Sequence, residues 1–307
     1  MKAAVISSSS LGDGLLMLIG AFYLKQNGYQ VTVFHRLMSE MSSFFPDYDF
    51  QPYPEKMSDL KSFDLVVMEY QPPAPIADFK KEHASLKNIY LLCPRPIDIP
   101  AHPRNILFQP DKSMAQNIAL AMEKILNQKE FFPINGIAPP KDLTHQKYPE
   151  RILLHPLSNS PLKNWRKKKF LQLYAQLQNR GLKPVFIMAP HEEHMWKKEK
   201  VKIKTFPNYH ELAAYIYESG FLIGNDSGPA HLASNLAIPS LVVAGNRRKM
   251  QLWRADFYPT RLIFPTPFIP NFKYFKIKDY YWPYFVSTKR VFKAFTAAYN
   301  QFFYQKY

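Results

Sequence analysis

The stretch NDSGPAHLASNLAIPSLVVAG, residues 225–245, places Asp226, Ser227, Gly228 and Pro229 in a row between two apolar runs. FLIG precedes the polar cluster and SLVVAG ends the stretch. Short apolar runs of this kind read as buried strands, and PAHLASNLA between them reads as a short helix. Gly228 and Pro229 fall where the N-cap and first helical residue belong, the favoured place for proline. The pattern predicts a strand, a tight loop and an outward-pointing helix N-terminus. Such an end carries partial positive charge and free N–H groups, and it suits an anion. A well-capped helix in an α/β sheet would use the same residues, so the rest of the chain has to decide.

Working outward, the pattern repeats in both directions. KAAVISS reads as a strand, LLMLIGAFYLKQN as a helix closed by Gly28, and YQVTVFH as the next strand. DLVVMEY, IYLLC and NILFQ continue the strand series, and MAQNIALAMEKIL is an amphipathic helix. Residues 131–150 break the alternation with four prolines and little periodicity, which reads as a linker. RILLHP, KKFLQLYAQLQNRG and PVFIMA then resume it, EEHMWKK reads as a helix start, and Asn208 and Glu211 stand at capping-box spacing before FLIGN. RLIFP reads as a last strand, FIPNFKYFKIKDYYWPYF has no assignable period, and a final helix is expected from Ser287. Two α/β series joined by a proline-rich linker predict two doubly wound domains, 1–145 and 146–286, followed by a helix over 287–307.

Charge separates the two halves. Residues 1–150 hold 15 Lys+Arg against 16 Asp+Glu, whereas residues 151–307 hold 25 against 8. The excess lies in KNWRKKK (163–169), KKEKVKIK (197–204), RRKMQLWR (247–254) and KYFKIK (273–278). An asymmetry this large implies an anionic partner for the second half: nucleotide, nucleic acid or membrane surface. The single cysteine, Cys93, excludes an internal disulfide and suits a reducing compartment. The apolar run 15–22 follows Asp13 and precedes no small-residue cleavage site, so it does not read as a signal peptide. No run approaches the roughly 18 apolar residues of a membrane span. The expected location is cytoplasmic.

Ligands of open α/β sheets bind beyond the strand ends. Three loops there carry chemistry. SSSSLGDGLL (7–16) sets Asp13 between Gly12 and Gly14, which lets backbone bring a carboxylate close to a ligand. A cap for a helix starting near Leu15 is the plainer use of Asp13. The loop has neither dinucleotide-fingerprint spacing nor a Walker lysine. HPLSNSPLKNW (155–165) offers Ser158 and Lys163 as a hydroxyl and an ammonium for phosphate oxygens, although a lysine in a basic run is more often plain surface. The third is the opening stretch. HEEH (191–194) lacks the zinc-protease order and a third ligand, and no G-x-S-x-G elbow is present.

Four segments, SSLGDGLL, KNW, APHEE (189–193) and NDSGPAHLASNLAIP, resemble glycosyltransferase family 9, the bacterial ADP-heptose:lipopolysaccharide heptosyltransferases and their relatives. Order and spacing agree up to about residue 245, and the VSTKRVFKAF tail fits as well. The resemblance implies a GT-B architecture: two Rossmann-like domains facing a central cleft, with acceptor on the first, sugar nucleotide on the second, and a last helix crossing back to the first. It implies inverting transfer of a heptose or related sugar to a lipopolysaccharide core acceptor, with no catalytic metal, no cofactor and an oxocarbenium-like transition state. Asp13 becomes the general base. Ser158, Lys163, Ser227, Gly228 and His231 serve the diphosphate or its loop, Glu192 the ribose hydroxyls, and Asp226 the transferred sugar. Gly12 and Arg36, Arg95 and Arg104 are the expected acceptor side, as a local basic patch.

Such an enzyme would sit on the inner face of the inner membrane, in contact with anionic lipid. One departure stands out: after SLVVAG the family often shows Gly-Pro-Thr, and this chain has NRRKMQLW. That leaves room for another donor, such as an N-acetylhexosamine nucleotide. A catalytically inactive sugar-nucleotide binder and a nucleic-acid binder are the competing classes; retention of Asp13 weighs against the former.

Overall fold

The computed structural model describes residues 1–72, 74–76, 78–83, 86–95, 102–266 and 280–304. It divides into two compact units, Met1–Pro140 with Gln251–Trp253, and Lys141–Met250 with the chain from Arg254 onward. The break falls inside the proline-rich linker. The basic run 273–278 and most of the unassigned aromatic segment lie outside the described residues.

The first unit runs β1 (Lys2–Ile6), α1 (Leu11–Gln26), β2 (Gln30–Phe34), β3 (Asp49–Gln51), β4 (Leu65–Glu69), α2 (Phe79–Glu82), β5 (Ile89–Cys93), β6 (Asn105–Leu107) and α3 (Met114–Leu126). Its six strands pair in parallel in the order β3-β2-β1-β4-β5-β6. Ala3 to Ile6 are fully buried, as expected of a parallel strand covered on both faces. Helix α1 is apolar nearly all round because it too is enclosed, which is why its sequence looks like a leader. Gly14 is required there: a Cβ would come within 2.8 Å of His35 Nε2. Cys93 is buried at the end of β5, and burial pushes its thiol up to about 11.

The second unit runs β7 (Tyr148–His155), α4 (Lys167–Asn179), β8 (Lys183–Met188), β9 (Ile203–Thr205), α5 (Tyr209–Tyr217), β10 (Ser219–Asn225), α6 (Gly228–Asn235), β11 (Ser240–Val243), α7 (Arg247–Trp253), β12 (Thr260–Ile263) and α8 (Thr288–Tyr304). The sheet order is β12-β11-β10-β7-β8-β9, again parallel. Counted from its own first strand, this is the same winding as in the first unit, and both are the Rossmann order. Asn208 caps α5 by accepting from Glu211 N at 2.9 Å. The stretch EEHMWKK does not start an α-helix: Pro190–Met195 is a 3₁₀ turn.

Helix α8 presents Val291, Phe295, Ala298 and Tyr299 as one buried stripe at helical spacing. Phe295 meets Phe221 of β10 edge-on at 5.1 Å, and the helix lies against α4. The apolar stripe of this helix is matched in the second unit's core.

Candidate functional sites

A doubly wound sheet opens its crevice between the first and fourth strands, where the winding reverses direction. In the first unit that point lies beyond β1 and β4. Ser10, in extended conformation, caps α1 by accepting from Asp13 N at 3.2 Å, and its hydroxyl donates to Asp13 Oδ2 at 2.8 Å. The helix starts at Leu11 rather than Leu15, so the cap is Ser10 and Asp13 stands within the first turn. Ser8 Oγ also donates to Asp13 Oδ2, and Gln71 Nε2 reaches the same oxygen at 3.5 Å. All three donors fall on Oδ2. Among the described residues none falls on Oδ1, which leaves that oxygen to accept from outside.

Behind Asp13 lies a carboxyl that the sequence reading did not select. Glu69, the last residue of β4, is 1% exposed. Its Oε2 accepts from Ser8 N at 3.1 Å and its Oε1 from Gln71 Nε2 at 2.5 Å. Burial, and then the negative charge of Asp13, push Glu69 up to about 8. Tyr53 donates to Ser7 O at 3.1 Å, and burial with Glu69 and Asp13 nearby raises its phenol. His35 is held as one neutral tautomer: Nε2 donates to Ser10 O at 3.1 Å, while Nδ1 accepts from Leu37 N and Met38 N at 3.1 and 3.2 Å. Burial lowers its pKa.

Of the residues expected on this side, Gly12 is buried in the first turn of α1, and Arg36 and Arg95 are exposed just beyond β2 and β5. Three inter-strand steps, roughly 14 Å, separate those two strands. Arg104 does not join them. It precedes β6, and its guanidinium covers Tyr90 at the start of β5 at 5.0 Å, which is the opposite edge of the sheet.

In the second unit the crevice lies beyond β7 and β10. Asn225, fully buried at the end of β10, donates to Pro156 O at 2.7 Å and accepts from Trp165 N at 2.9 Å. This amide ties the β7 loop to the β10 loop. Lys163 Nζ then meets Asp226 Oδ2 at 2.9 Å, with the two side chains 30% and 12% exposed. The pairing was not anticipated; an ammonium has three N–H donors, so two stay available to a phosphate.

The helix of the opening stretch begins at Gly228, with Ser227 as N-cap and Pro229 in the first turn, one residue earlier than the sequence suggested. Pro229 has no N–H, and Ala230 N and His231 N turn back to Ser227 O at 3.1 and 3.4 Å. Gly228 N–H is what the tip presents. Ser227 Oγ is engaged with His155 Nδ1 at 2.9 Å and donates to Asn225 O at 3.1 Å, so its first role is to hold the loop. His155 is buried, which pushes it down to about 4 and keeps it neutral. His231 is buried in α6.

Ser158 Oγ lies between Ser160 O and Asn164 Oδ1 at 2.9 and 2.8 Å, inside its own loop. Glu192 Oε2 caps its 3₁₀ turn by accepting from Ala189 N at 2.9 Å. Beside Lys163 and Asp226 opens a pocket of about 130 Å³, also lined by Gly245, Asn246, Lys249 and Trp282. Trp282 covers Gly245, where a Cβ would sit 2.5 Å from the indole, and its Nε1 donates to Leu162 O at 2.9 Å. The segment NRRKMQLW thus contributes to this pocket. Among the described residues no three His, Cys, Asp or Glu side chains gather as a metal site would, and no helix is long and apolar enough to cross a membrane.

Residues 106–255 match the family model for glycosyltransferase family 9 (heptosyltransferase). Among solved structures, E. coli ADP-heptose LPS heptosyltransferase II aligns at TM-score 0.70 and 14% identity, covering 98% of this chain and 99% of that one. A Veillonella parvula family 9 glycosyltransferase gives 0.73 and 15%, with 98% and 97% covered. The E. coli heptosyltransferase WaaC with ADP gives 0.64 and 13%, with 98% of each chain covered. At these identities the likeness is one of fold. A search of curated proteins finds no match.

Proposed function

Because residues 106–255 match the family model for glycosyltransferase family 9, we propose that the chain is a member and moves a heptose, or a related sugar, from a nucleotide-diphosphate donor to a lipopolysaccharide core acceptor, with inversion and without a catalytic metal. The observation that carries this reading is the second unit's cationic crevice: Lys163 held at 2.9 Å from Asp226, next to the tip of α6. That relatives of the same fold are known with ADP and with ADP-2-deoxy-2-fluoro heptose supports a nucleotide donor here.

In the proposed reaction Asp13 Oδ1 takes the acceptor hydroxyl proton while the new bond forms at the anomeric carbon and the bond to the diphosphate breaks. Lys163 and the Gly228 N–H oppose the charge that develops on the leaving group. Asp226 faces the sugar, and Glu192 Oε1, the oxygen not engaged by Ala189 N, accepts from ribose. Neutral His155 and buried Asn225 keep Ser227 and the tip of α6 in place.

Because Asn246 and Lys249 line the pocket in place of the family's usual Gly-Pro-Thr, the donor sugar is the open variable of this reading. A panel of sugar nucleotides tested for thermal stabilisation addresses it, since a ligand of the folded state must raise the midpoint. ADP-heptose is expected to give the largest rise. A larger rise with a UDP-N-acetylhexosamine reassigns the donor, and no rise with any nucleotide removes the reading.

We further propose peripheral contact with an anionic membrane. Tyr280, Tyr281, Tyr284 and Phe285 are 58%, 53%, 54% and 45% exposed, and Arg166 covers Tyr284 at 4.0 Å. Basic residues near an anionic surface contribute about 1 kcal/mol each, so binding to anionic vesicles should fall with salt. Equal sedimentation with neutral and anionic vesicles would remove the proposal.

A further inference from the structure

We propose that Glu69 is a positioning residue for Asp13: by anchoring both the Ser8 backbone and the Gln71 amide, it gathers donors onto Asp13 Oδ2 and leaves Oδ1 to take the acceptor proton. The inference rests on the reading of Asp13 as the base.

The geometry is a closed circuit. Ser8 gives its N–H to Glu69 Oε2 and its hydroxyl to Asp13 Oδ2. Gln71 gives its amide to Glu69 Oε1 at 2.5 Å and to Asp13 Oδ2 at 3.5 Å. Two of the three donors on Oδ2 are therefore held from behind by one buried carboxyl, and the third, Ser10, is held by His35 through Ser10 O. A carboxylate rotates freely about its last bond unless its oxygens are made unequal. Here one oxygen carries three donors and the other carries none from the described residues. A buried acid beside a second carboxylate is costly, and an apolar side chain ending β4 would pack more cheaply.

The groups facing Glu69 are Asp13 from α1, Tyr53 from the segment after β3, and Gln71 and Ser8 from the adjoining loops; His35 stands on the far side of Ser10. Burial and Asp13 both favour the protonated form of Glu69, so near neutrality the circuit carries one negative charge, on Asp13. Above about 8 Glu69 ionises as well, and the circuit opens by repulsion between like charges.

The test is a double-mutant cycle of Asp13→Asn and Glu69→Gln, assayed with ADP-heptose and de-acylated lipopolysaccharide core. Glutamine can accept only one of the two donors. Glu69→Gln should lower kcat about 10- to 100-fold, the scale of a small misplacement at a reacting centre, with the acceptor KM within about twofold. It should also remove an alkaline limb near 8 from the kcat profile. In the Asp13→Asn background it should cost less than about twofold, because it acts through Asp13. Equal costs in both backgrounds, or normal turnover of Glu69→Gln, overturn the proposal. Normal turnover of Asp13→Asn overturns the base reading instead.

If Glu69→Gln does not fold, Gln71→Leu removes the bridging amide and enters the same cycle. If the wild type transfers nothing, the resting protein still decides. The carboxyl ¹³C resonance of Asp13 should move in Gln71→Leu and Glu69→Gln, and an unmoved resonance overturns the positioning role.

Discussion

The two units share one winding and end their fourth strands on opposite chemistry. Glu69 closes β4 and Asn225 closes β10; both are buried, and both reach across the reversal point to the loop after the first strand. Glu69 takes an N–H from that loop, whereas Asn225 gives a hydrogen bond to Pro156 O and takes one from Trp165 N. The acid sits beside a carboxylate that is proposed to accept a proton. The neutral amide sits beside an ammonium proposed to face a diphosphate. A second acid in the donor crevice would repel that ligand, and a neutral amide in the first unit could not accept from both Ser8 and Gln71. The fold supplies one position, and the charge of the group placed there follows what each crevice has to handle.

The sharpest way to break this comparison is to place an acid in the second unit. Asn225→Asp sets an oxygen against Pro156 O in place of an amide that donates at 2.7 Å, in a site with no exposure. A buried carboxylate without compensation costs about 3–5 kcal/mol. Urea unfolding should show that loss, and a variant as stable as the wild type would mean that the amide is not what binds the two loops.

Next in size is Asp13→Asn, which keeps the acceptor for Ser8 and Ser10 but removes the basicity. Turnover should fall by at least about 10²-fold, with fold and donor binding near normal. Loss of folding would return Asp13 to the structural role its neighbours allow, and unchanged turnover would place the base elsewhere.

Lys163 probes the donor side. Lys163→Ala should weaken ADP binding by roughly 1.5–3 kcal/mol in calorimetry, the range for a charge-assisted hydrogen bond. Asp226→Asn should bind ADP at least as tightly as wild type, because it frees the ammonium and removes a negative charge from the crevice. If both variants weaken ADP equally, the ion pair is a structural clasp.

How much of this could be read from the chain alone differs between fold and site. The long apolar strands and α1 announce themselves, because burial on both faces leaves no polar alternation to confuse. β3 and β9, with three residues each, are too short to show any period. The strand ends where Asp13, Lys163 and Asp226 sit were legible, since ligands gather there in any such sheet. Their pairings were not. Ser8 and Glu69 are 61 residues apart, Ser227 and His155 are 72 apart, and Lys163 and Asp226 are 63 apart. Only the folded sheet joins them. DLVVMEY does signal an acid at a strand end, but nothing local says that the acid is buried behind another.

The smallest expected effect is also the one that separates the units by sign. Glu69 moves from 4.5 in the unfolded chain to about 8, so the native state keeps a proton that the unfolded state has lost. Its stabilising share is complete below 4.5 and is lost as pH rises toward 8. His155 moves from 6.5 to about 4, so it disfavours the native state as pH falls through that interval. His35, also lowered, adds an acid-side loss to the first unit. Between 6.5 and 8 the Glu69 slope, at most about 1.4 kcal/mol per pH unit, is the one that Glu69, His155 and His35 leave. Hydrogen exchange by residue, corrected for intrinsic rates, should therefore show the amides of β1 and β4 losing protection over that interval. Those of β7 and β10 should hold steady there and weaken only on acidification. Glu69→Gln should flatten the first trend and leave the second untouched. Equal alkaline losses in both units would mean that Glu69 is not the group responsible, and the contrast between the two strand ends would have no energetic content.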